Sequence, residues 1–155
     1  MTGILDDVQK YQAVAGKISL RKAGLEKQTN YDLIYSGGAV IAFAPDIELR
    51  ESTDLKVGFE DFFKRMYRKF NSDFYATERT KYGCRDIVDI ASDLAGKDLS
   101  GLFERYVSGS DVIPMEIYFD KLGLEITTDA ADTIGVEPVA TSSARQQALR
   151  AVILN

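Results

Sequence analysis

The sequence contains no histidine and no tryptophan, and it has a single cysteine, Cys84, among its 155 residues. Without histidine the chain cannot form a Cys–His nucleophile pair. A lone cysteine also cannot close an intrachain disulfide, which fits a reducing compartment without excluding the periplasm. Because its flanks are typical of a helix start, we expect Cys84 to be a packed thiol and not a nucleophile.

A net positive charge is also lacking. The formal net charge is −5 and the isoelectric point is about 4.8, so no broad positive field is available to attract phosphates, and we predict no nucleic-acid partner. The single basic cluster lies within a helical pattern and is interpreted as a solvated helix face. It consists of Lys64, Arg65, Arg68 and Lys69.

Long apolar runs are missing as well. No run approaches the roughly 20 residues that span a bilayer, and a charged amphipathic stretch follows Met1 where a secretory leader would carry its apolar region. We therefore predict a soluble protein, cytoplasmic or periplasmic, with no membrane partner.

What is present is a composition of 45% hydrophobic and 28% charged residues, which suffices to bury a core at the size of one domain. Apolar spacing and helix stops predict about six helices. These cover residues 4–14, 38–50, 58–70 and 84–94, then a stretch from Asp98 or Ser100 to Gly109, and a last one from Pro114 to Gly123. Residues 16–33 are predicted to be irregular with a helical turn near 20–25, and Pro45 should kink its helix.

Two helices have clear predicted inner faces. The face of 58–70 is interpreted as core and carries Phe59, Phe62, Phe63, Met66, Tyr67 and Phe70. The helix after Pro114 is expected to turn Ile117, Tyr118 and Leu122 inward.

From Leu124 the apolar period changes to two, which predicts strands at 124–127, 134–139 and 149–154. We therefore divide the chain into a helical region, 1–123, and an incomplete β segment, 124–155. Two or three strands are too few for an independently stable sheet. The tail is expected either to pair with the tail of a second molecule or to be the most mobile part of the chain.

A first motif consists of a tyrosine, a glycine turn, an apolar stretch, and a final acidic residue with an arginine. It is carried by Tyr35, Gly38, Ala39, Val40, Ala42, Asp46, Glu48, Leu49 and Arg50. Its spacing resembles a segment of the glycyl aminopeptidase family of gluzincin zinc peptidases, in which a tyrosine-x-lysine-glycine turn opens an apolar helix.

A second motif looks like the helix-turn-helix near the end of that family's peptidase domain. It comprises Leu94-Ala95-Gly96-Lys97-Asp98-Leu99, Phe103-Glu104-Arg105-Tyr106-Val107-Ser108-Gly109, Ile113-Pro114 and Leu122-Gly123-Leu124. A generic helical bundle explains these glycines and the proline one by one but not their combined spacing. The whole resemblance covers about residues 19–124.

The resemblance implies a mainly α fold, a helical bundle like the carboxy-terminal subdomain of gluzincin peptidases, followed by the start of a PDZ domain at 134–136 and 149–154. Gluzincins bind zinc through His-Glu-x-x-His and a downstream glutamate. Zinc thus belongs to the parent family, and this chain, without histidine, is expected to hold no metal or cofactor. The acidic clusters Asp6-Asp7, Glu60-Asp61 and Asp129 with Asp132 lack the spacing of a hard-cation loop.

The implied function is a piece of a zinc aminopeptidase, inactive alone, whose zinc ligands lie upstream of Met1. Its expected partners are the missing amino-terminal peptidase portion or another copy of itself, and the parent would act on peptides. The alternative from another class is a non-catalytic helical protein–protein interaction module.

By the same resemblance, Tyr35 would donate a hydrogen bond to the oxyanion of the tetrahedral intermediate, and Tyr31 would share its helix face. Gly37 stands where the family has lysine, and Pro45 interrupts a helix that the family keeps continuous. The alternative, that Tyr35 only packs its ring at a helix start, stays open.

Overall fold

The computed structural model of the protein describes residues 2–70 and 81–154. Within these ranges the chain is mainly helical and ends in a two-stranded sheet and a further helix. The α-helices are α1 Thr2–Val14, α2 Leu20–Ala23, α3 Tyr31–Ser52, α4 Phe59–Phe70, α5 Cys84–Ala95, α6 Ser100–Phe103, α7 Met115–Lys121 and α8 Ala144–Leu154. The strands are β1 Leu124–Thr128 and β2 Ile134–Pro138. The predicted mainly α class with a short β-rich segment is confirmed, whereas nothing in the fold tests the peptidase resemblance.

The long helix α3 differs from its prediction at both ends. It begins at Tyr31 and ends at Ser52, so the predicted bounds 38 and 50 are wrong. The helix is continuous through Pro45, and the kink expected there stays a prediction. Pro45 lacks the amide hydrogen that the carbonyl of Ile41 would accept. Pro45 is buried, as are Ala44 and Ile47 beside it, and the apolar packing of this stretch offsets the lost hydrogen bond.

Two clusters of buried apolar side chains hold the helices together. The first core cluster joins α1, α3, α7, β1 and α8, and the buried residues at its centre include Val8, Val40, Phe119 and Leu149. The hydroxyl of Tyr11 lies within it and accepts a hydrogen bond from the amide of Ile113 at 3.2 Å, while burial raises the Tyr11 pKa.

The second core cluster is smaller and joins the end of α3 to α4, α5 and α6. Its buried members are Leu49, Phe62, Ile90, Ala91, Ala95 and Leu99. The aromatic face of α4 was predicted to be core and is so in part: Phe62 is buried, and Phe59, Met66 and Phe70 are half-buried against the second core cluster. Phe63 and Tyr67 are 59% and 63% exposed. The surfaces of α3 and α5 that contact α4 leave these two rings uncovered.

Two further inward placements are wrong. Ile117 on α7 is 53% exposed, whereas Tyr118 and Leu122 are buried as predicted. Cys84 is the first residue of α5, as its flanks indicated, but its thiol is exposed and not packed. A side chain in the first turn of a helix is easily left beyond the packed surface, since the core of α5 begins one turn later at Ile87 and Ile90.

The tail contains an antiparallel hairpin and a helix. β1 pairs with β2 in a register that joins Leu124 to Pro138 and Thr128 to Ile134. The strand predicted at 149–154 is wrong, because these residues belong to α8. Leu124 and Leu149 lie in the first core cluster together with α1 and α3. The division at 123/124 stays a prediction, and Asn155 lies outside the described residues.

Among the residues that the structure describes, no helix is both long enough and apolar enough to cross a bilayer.

Candidate functional site around Tyr35

Tyr35 lies on the second turn of α3, and its side chain is 59% exposed. Its ring packs against that of Tyr31, 60% exposed and one turn earlier, with ring centroids 4.3 Å apart and planes inclined by 33°. The two tyrosines therefore share a face, as their four-residue spacing predicts. No hydrogen bond links the Tyr35 hydroxyl to any other described residue. Its catalytic role stays a prediction.

An open groove of about 570 Å3 adjoins the tyrosine pair on the side of Tyr31. The apolar side chains that line it come from α1, the following turn and α3, and they are Val14, Ile18 and Leu33. Polar residues line the rest, namely Lys17, Gln28, Thr29, Asn30 and Asp32. An apolar lining with a polar border is typical of a surface that receives a side chain or a segment of another chain.

The connection from α2 to α3 extends this surface. It carries Leu25, whose side chain is 84% exposed, and a second depression lined by residues 24–29. Gln28 and Thr29 line both depressions. We refer to Leu25, Tyr31, Tyr35 and the groove together as the tyrosine face. Exposed apolar groups of this kind mark interaction sites when they adjoin one another.

Two departures from the family pattern have structural explanations. Gly37 is buried against α2, and a Cβ at this position would lie 2.9 Å from Cδ2 of Leu20. A lysine at this position would require the Leu20 side chain to shift. Pro45 is accommodated in the core without interrupting α3.

The acidic end of the first motif joins helices. Asp46 Oδ1 accepts hydrogen bonds from the backbone amide of Phe59 at 2.8 Å and from Nε of Arg50 at 3.0 Å. The Asp46 carboxylate therefore caps the start of α4 and also forms an ion pair with Arg50 one turn later on α3. The Arg50 guanidinium covers Gly58, where a Cβ would lie only 2.4 Å from Nη2.

Glu48 is the centre of an ion-pair network that sequence reasoning did not identify. Nζ of Lys121 lies 2.6 Å from Glu48 and 2.5 Å from Glu51, and Lys97 also pairs with Glu48. Burial raises the pKa of Glu48, but the hydrogen bonds from Lys121 and Lys97 outweigh it and leave the pKa below its ordinary value. For Lys121, burial lowers the pKa, and the two glutamates outweigh that effect and raise it.

The network also affects Tyr118, whose pKa rises to about 12, chiefly because the ring is buried and also because Glu48 is negatively charged. Each of these groups is held in the charge state that it ordinarily has at neutral pH. The arrangement suits a structural link and not a proton-transfer site.

Two glycines of the second motif, Gly109 and Gly123, occupy positions where a Cβ would meet neighbouring atoms. Gly109 follows a π-helical turn, Glu104–Ser108, and a Cβ there would lie 2.6 Å from the carbonyl oxygen of Arg105. Gly123 ends α7 at φ +66°, and its Cβ would lie 2.7 Å from Oγ of Ser142. Pro114 immediately precedes the first turn of α7.

The residues that the structure describes include no group that fits a catalytic zinc ion. The sequence has no histidine, and within 2–70 and 81–154 no three acidic or cysteine side chains are grouped as metal ligands. Some predicted acidic clusters have other partners. Asp61 accepts from the Gly58 amide at 3.0 Å, Glu60 pairs with Lys64 at 2.7 Å, and Asp129 accepts from the Ala131 and Thr133 amides.

The comparisons with known proteins add no relative. No family model, no curated protein and no solved structure matches the chain.

Proposed function

We propose that this chain is the carboxy-terminal helical part of a zinc aminopeptidase of the glycyl aminopeptidase kind, with no peptidase activity by itself. The observation that carries the proposal is the placement of Tyr35. Its ring is more than half exposed and its hydroxyl is free of described partners, although it sits on the helix that contributes most to the core. A tyrosine whose ring contacts Tyr31 and whose hydroxyl has no partner among the described residues is available to act on a group supplied from outside this chain.

The chemistry assigned to Tyr35 is hydrogen-bond donation to an oxyanion. A phenol is neutral near pH 7 and can stabilise developing negative charge without itself ionising. Zinc and the general base would reside on residues outside this chain, and no step is assigned to residues here beyond that donation.

The test is reconstitution. The chain is mixed with the zinc-bearing amino-terminal portion of a glycyl aminopeptidase, and hydrolysis of a chromogenic glycyl amide is measured against each component alone. We expect activity only from the mixture. Tyr35→Phe should lower kcat about 100-fold to 1,000-fold with little change in KM, the usual effect of losing one oxyanion donor.

Tyr31→Phe is the matched control, because it removes a hydroxyl from the neighbouring ring on the same face and should leave kcat unchanged. An active mixture in which Tyr35→Phe and the wild type have equal kcat would overturn the role of Tyr35.

A second function is favoured by the exposure of Leu25 in the α2–α3 connection, because oxyanion donation does not need an exposed leucine. As an alternative, we infer that the chain is a non-catalytic interaction module. In that case it binds a peptidase portion through the tyrosine face without activating it. Calorimetric titration separates the two functions. Binding without hydrolysis, lost in Tyr31→Ser/Tyr35→Ser but kept in the exposed-tyrosine control Tyr67→Ser, would support the module.

A further inference from the structure

The segment that forms much of the tyrosine face carries an excess of positive charge. Residues 16–33 contain two carboxylates, Glu26 and Asp32, against four cations, whereas the whole chain has a net charge of −5. The four cations are Lys17, Arg21, Lys22 and Lys27. A local excess of one sign on a protein of the opposite net charge directs a ligand of complementary charge to that part of the surface.

These six charged side chains are not used within the fold. All six are exposed, and none forms an ion pair with another described residue. Cations elsewhere differ from them, since Arg50 pairs with Asp46 and Lys121 pairs with Glu48. The charges of residues 16–33 are therefore available to a ligand from outside the chain.

Two of the four cations border the depressions of the tyrosine face. Lys17 lines the groove, beside its three apolar side chains. Lys27 lines the second depression together with Leu25. Arg21 and Lys22 belong to α2, which lies between these two positions in the chain. Apolar surface and unpaired positive charge therefore occur together on this face.

The polar lining of the face suits a peptide better than a nucleic acid. Gln28 and Thr29 line both depressions, and their side chains have no hydrogen-bond partner among the described residues. An amide and a hydroxyl can both donate and accept, as the backbone of a peptide does. The apolar part of the groove matches an apolar side chain and not a phosphate or a sugar.

We propose that the tyrosine face binds a peptide segment in which apolar residues are flanked by aspartate or glutamate. An apolar side chain of the segment occupies the groove, and the flanking carboxylates pair with Lys17 and Lys27. The inference rests on the proposed role of this face as an interaction surface, and it names the chemistry of the partner. It does not depend on hydrolysis.

Fluorescence anisotropy of a labelled synthetic peptide tests the inference on the full chain. The peptide has three leucines between two runs of three glutamates. Replacing its glutamates by lysines should weaken binding at least about tenfold, and added salt should weaken binding of the glutamate peptide because exposed charges are screened. Replacing the leucines by serines should also weaken binding at least about tenfold, because the groove then receives no apolar group.

Charge reversal on the protein locates the binding surface. Lys17→Glu/Lys27→Glu should raise the Kd of the glutamate peptide about tenfold or more. Lys56→Glu/Arg68→Glu is the matched control, because it changes the net charge equally at two exposed residues that have no ion-pair partner among the described residues. Lys56 follows the end of α3 and Arg68 lies on α4, so the control should leave the Kd unchanged. Circular dichroism checks that both variants remain folded.

Several results would overturn the inference. These are equal affinity for the glutamate and lysine peptides, equal losses in the two double variants, or tighter binding of a single-stranded oligonucleotide in the same salt. A glutamate peptide that fails to bind, while the reconstituted mixture still hydrolyses its substrate, would overturn this inference and leave the proposed function standing. Peptide binding with an inactive mixture would support the inference and count against the peptidase proposal alone.

Discussion

The two core clusters differ in how completely they are buried. The first draws on residues from Val8 to Leu149 and contains side chains with no exposed surface, such as Phe119 and Met115. The second lies beneath a helix, α4, that leaves Phe63 and Tyr67 largely exposed. The difference teaches that apolar periodicity identifies a helix face but not how much of that face a neighbouring element will cover.

Ion pairs and a helix cap join the clusters. Lys121 comes from α7 beside the first cluster, Lys97 follows α5 beside the second, and both pair with Glu48. Asp46 caps α4 from α3. Substitutions in each cluster and at the links between them should therefore lower the free energy of unfolding by different amounts.

The largest loss is expected in the first cluster. Phe119→Ala removes a fully buried ring and should lower the free energy of unfolding by about 3–5 kcal/mol. Urea denaturation followed by far-ultraviolet circular dichroism measures this change. Phe63→Ala, which truncates the same residue type on exposed α4, should cost less than about 1 kcal/mol. Similar losses in the two variants would contradict the contrast between the clusters.

The link between α3 and α4 comes next. Gly58→Ala would place a Cβ 2.4 Å from the Arg50 guanidinium and displace it from Asp46, so we expect a loss of about 1–3 kcal/mol. Gly38→Ala is the matched control. Gly38 lies within α3, and a Cβ there would meet no atom within 4 Å outside its own helix backbone. That change should stabilise the protein by up to about 1 kcal/mol in the same denaturation assay. A neutral Gly58→Ala would show that Arg50 moves freely.

The Glu48 network should give a smaller, pH-dependent effect. Because the folded-state pKa of Glu48 is lowered, its contribution to stability is present above its ordinary pKa of 4.5 and is lost as pH falls through the folded value. Lys121→Met removes the main cause of the lowered Glu48 pKa. It should lower the free energy of unfolding by about 1–2 kcal/mol near neutral pH, allowing for partial solvent screening.

The check is the difference in unfolding free energy between wild type and Lys121→Met, measured from neutral to acidic pH. That difference should shrink as the solution is acidified below pH 4.5, because protonated Glu48 no longer benefits from the lysine. A difference that stays constant with pH would mean that Lys121 stabilises by packing its aliphatic stem.

The smallest effect is expected at the start of α5. Cys84 is exposed, so its thiol should react with a chromogenic disulfide reagent in the native protein as fast as in urea, apart from the effect of denaturant on the reagent. The modified protein should keep its unfolding midpoint. Slow native reaction would indicate that the thiol is covered, as the sequence first suggested.

The helix positions were largely predictable, because their end signals are local. Gly96 adopts φ +63° at the end of α5, and Pro114 precedes α7. Such signals depend on backbone conformation and not on distant contacts. The coverage of α4 by other elements was not predictable, because it depends on tertiary packing that no single helix encodes.

The strand wrongly predicted at 149–154 had a contrary signal in the sequence. Ser143 and Gln146 form a reciprocal capping box, in which the Gln146 amide donates to Oγ of Ser143 and the Ser143 amide donates to Oε1 of Gln146. The alternating apolar residues beyond it were given too much weight over this cap.

The candidate site was predictable only in part. The shared face of Tyr31 and Tyr35 follows from their spacing, but their exposure does not, since Tyr11 and Tyr118 are buried in the same fold. The groove forms where α1 and the α2–α3 connection meet α3. Its position could not be predicted, because residues 16–33 were predicted only to be irregular. The Glu48 network joins residues far apart in sequence and has no local signature.

Pro45 has a consequence for the motions of α3. Neighbouring residues of this helix belong to different clusters, Ile47 to the first and Leu49 to the second, and Pro45 supplies no amide just before that change. An opening that starts at Ser52 can therefore release the last turns of α3 without breaking a hydrogen bond at position 45. The amides after Pro45 should exchange with deuterium through local openings together with α4, while those of residues 33–44 exchange only with the whole molecule. One proline would thus divide a continuous helix into two units of unequal lifetime.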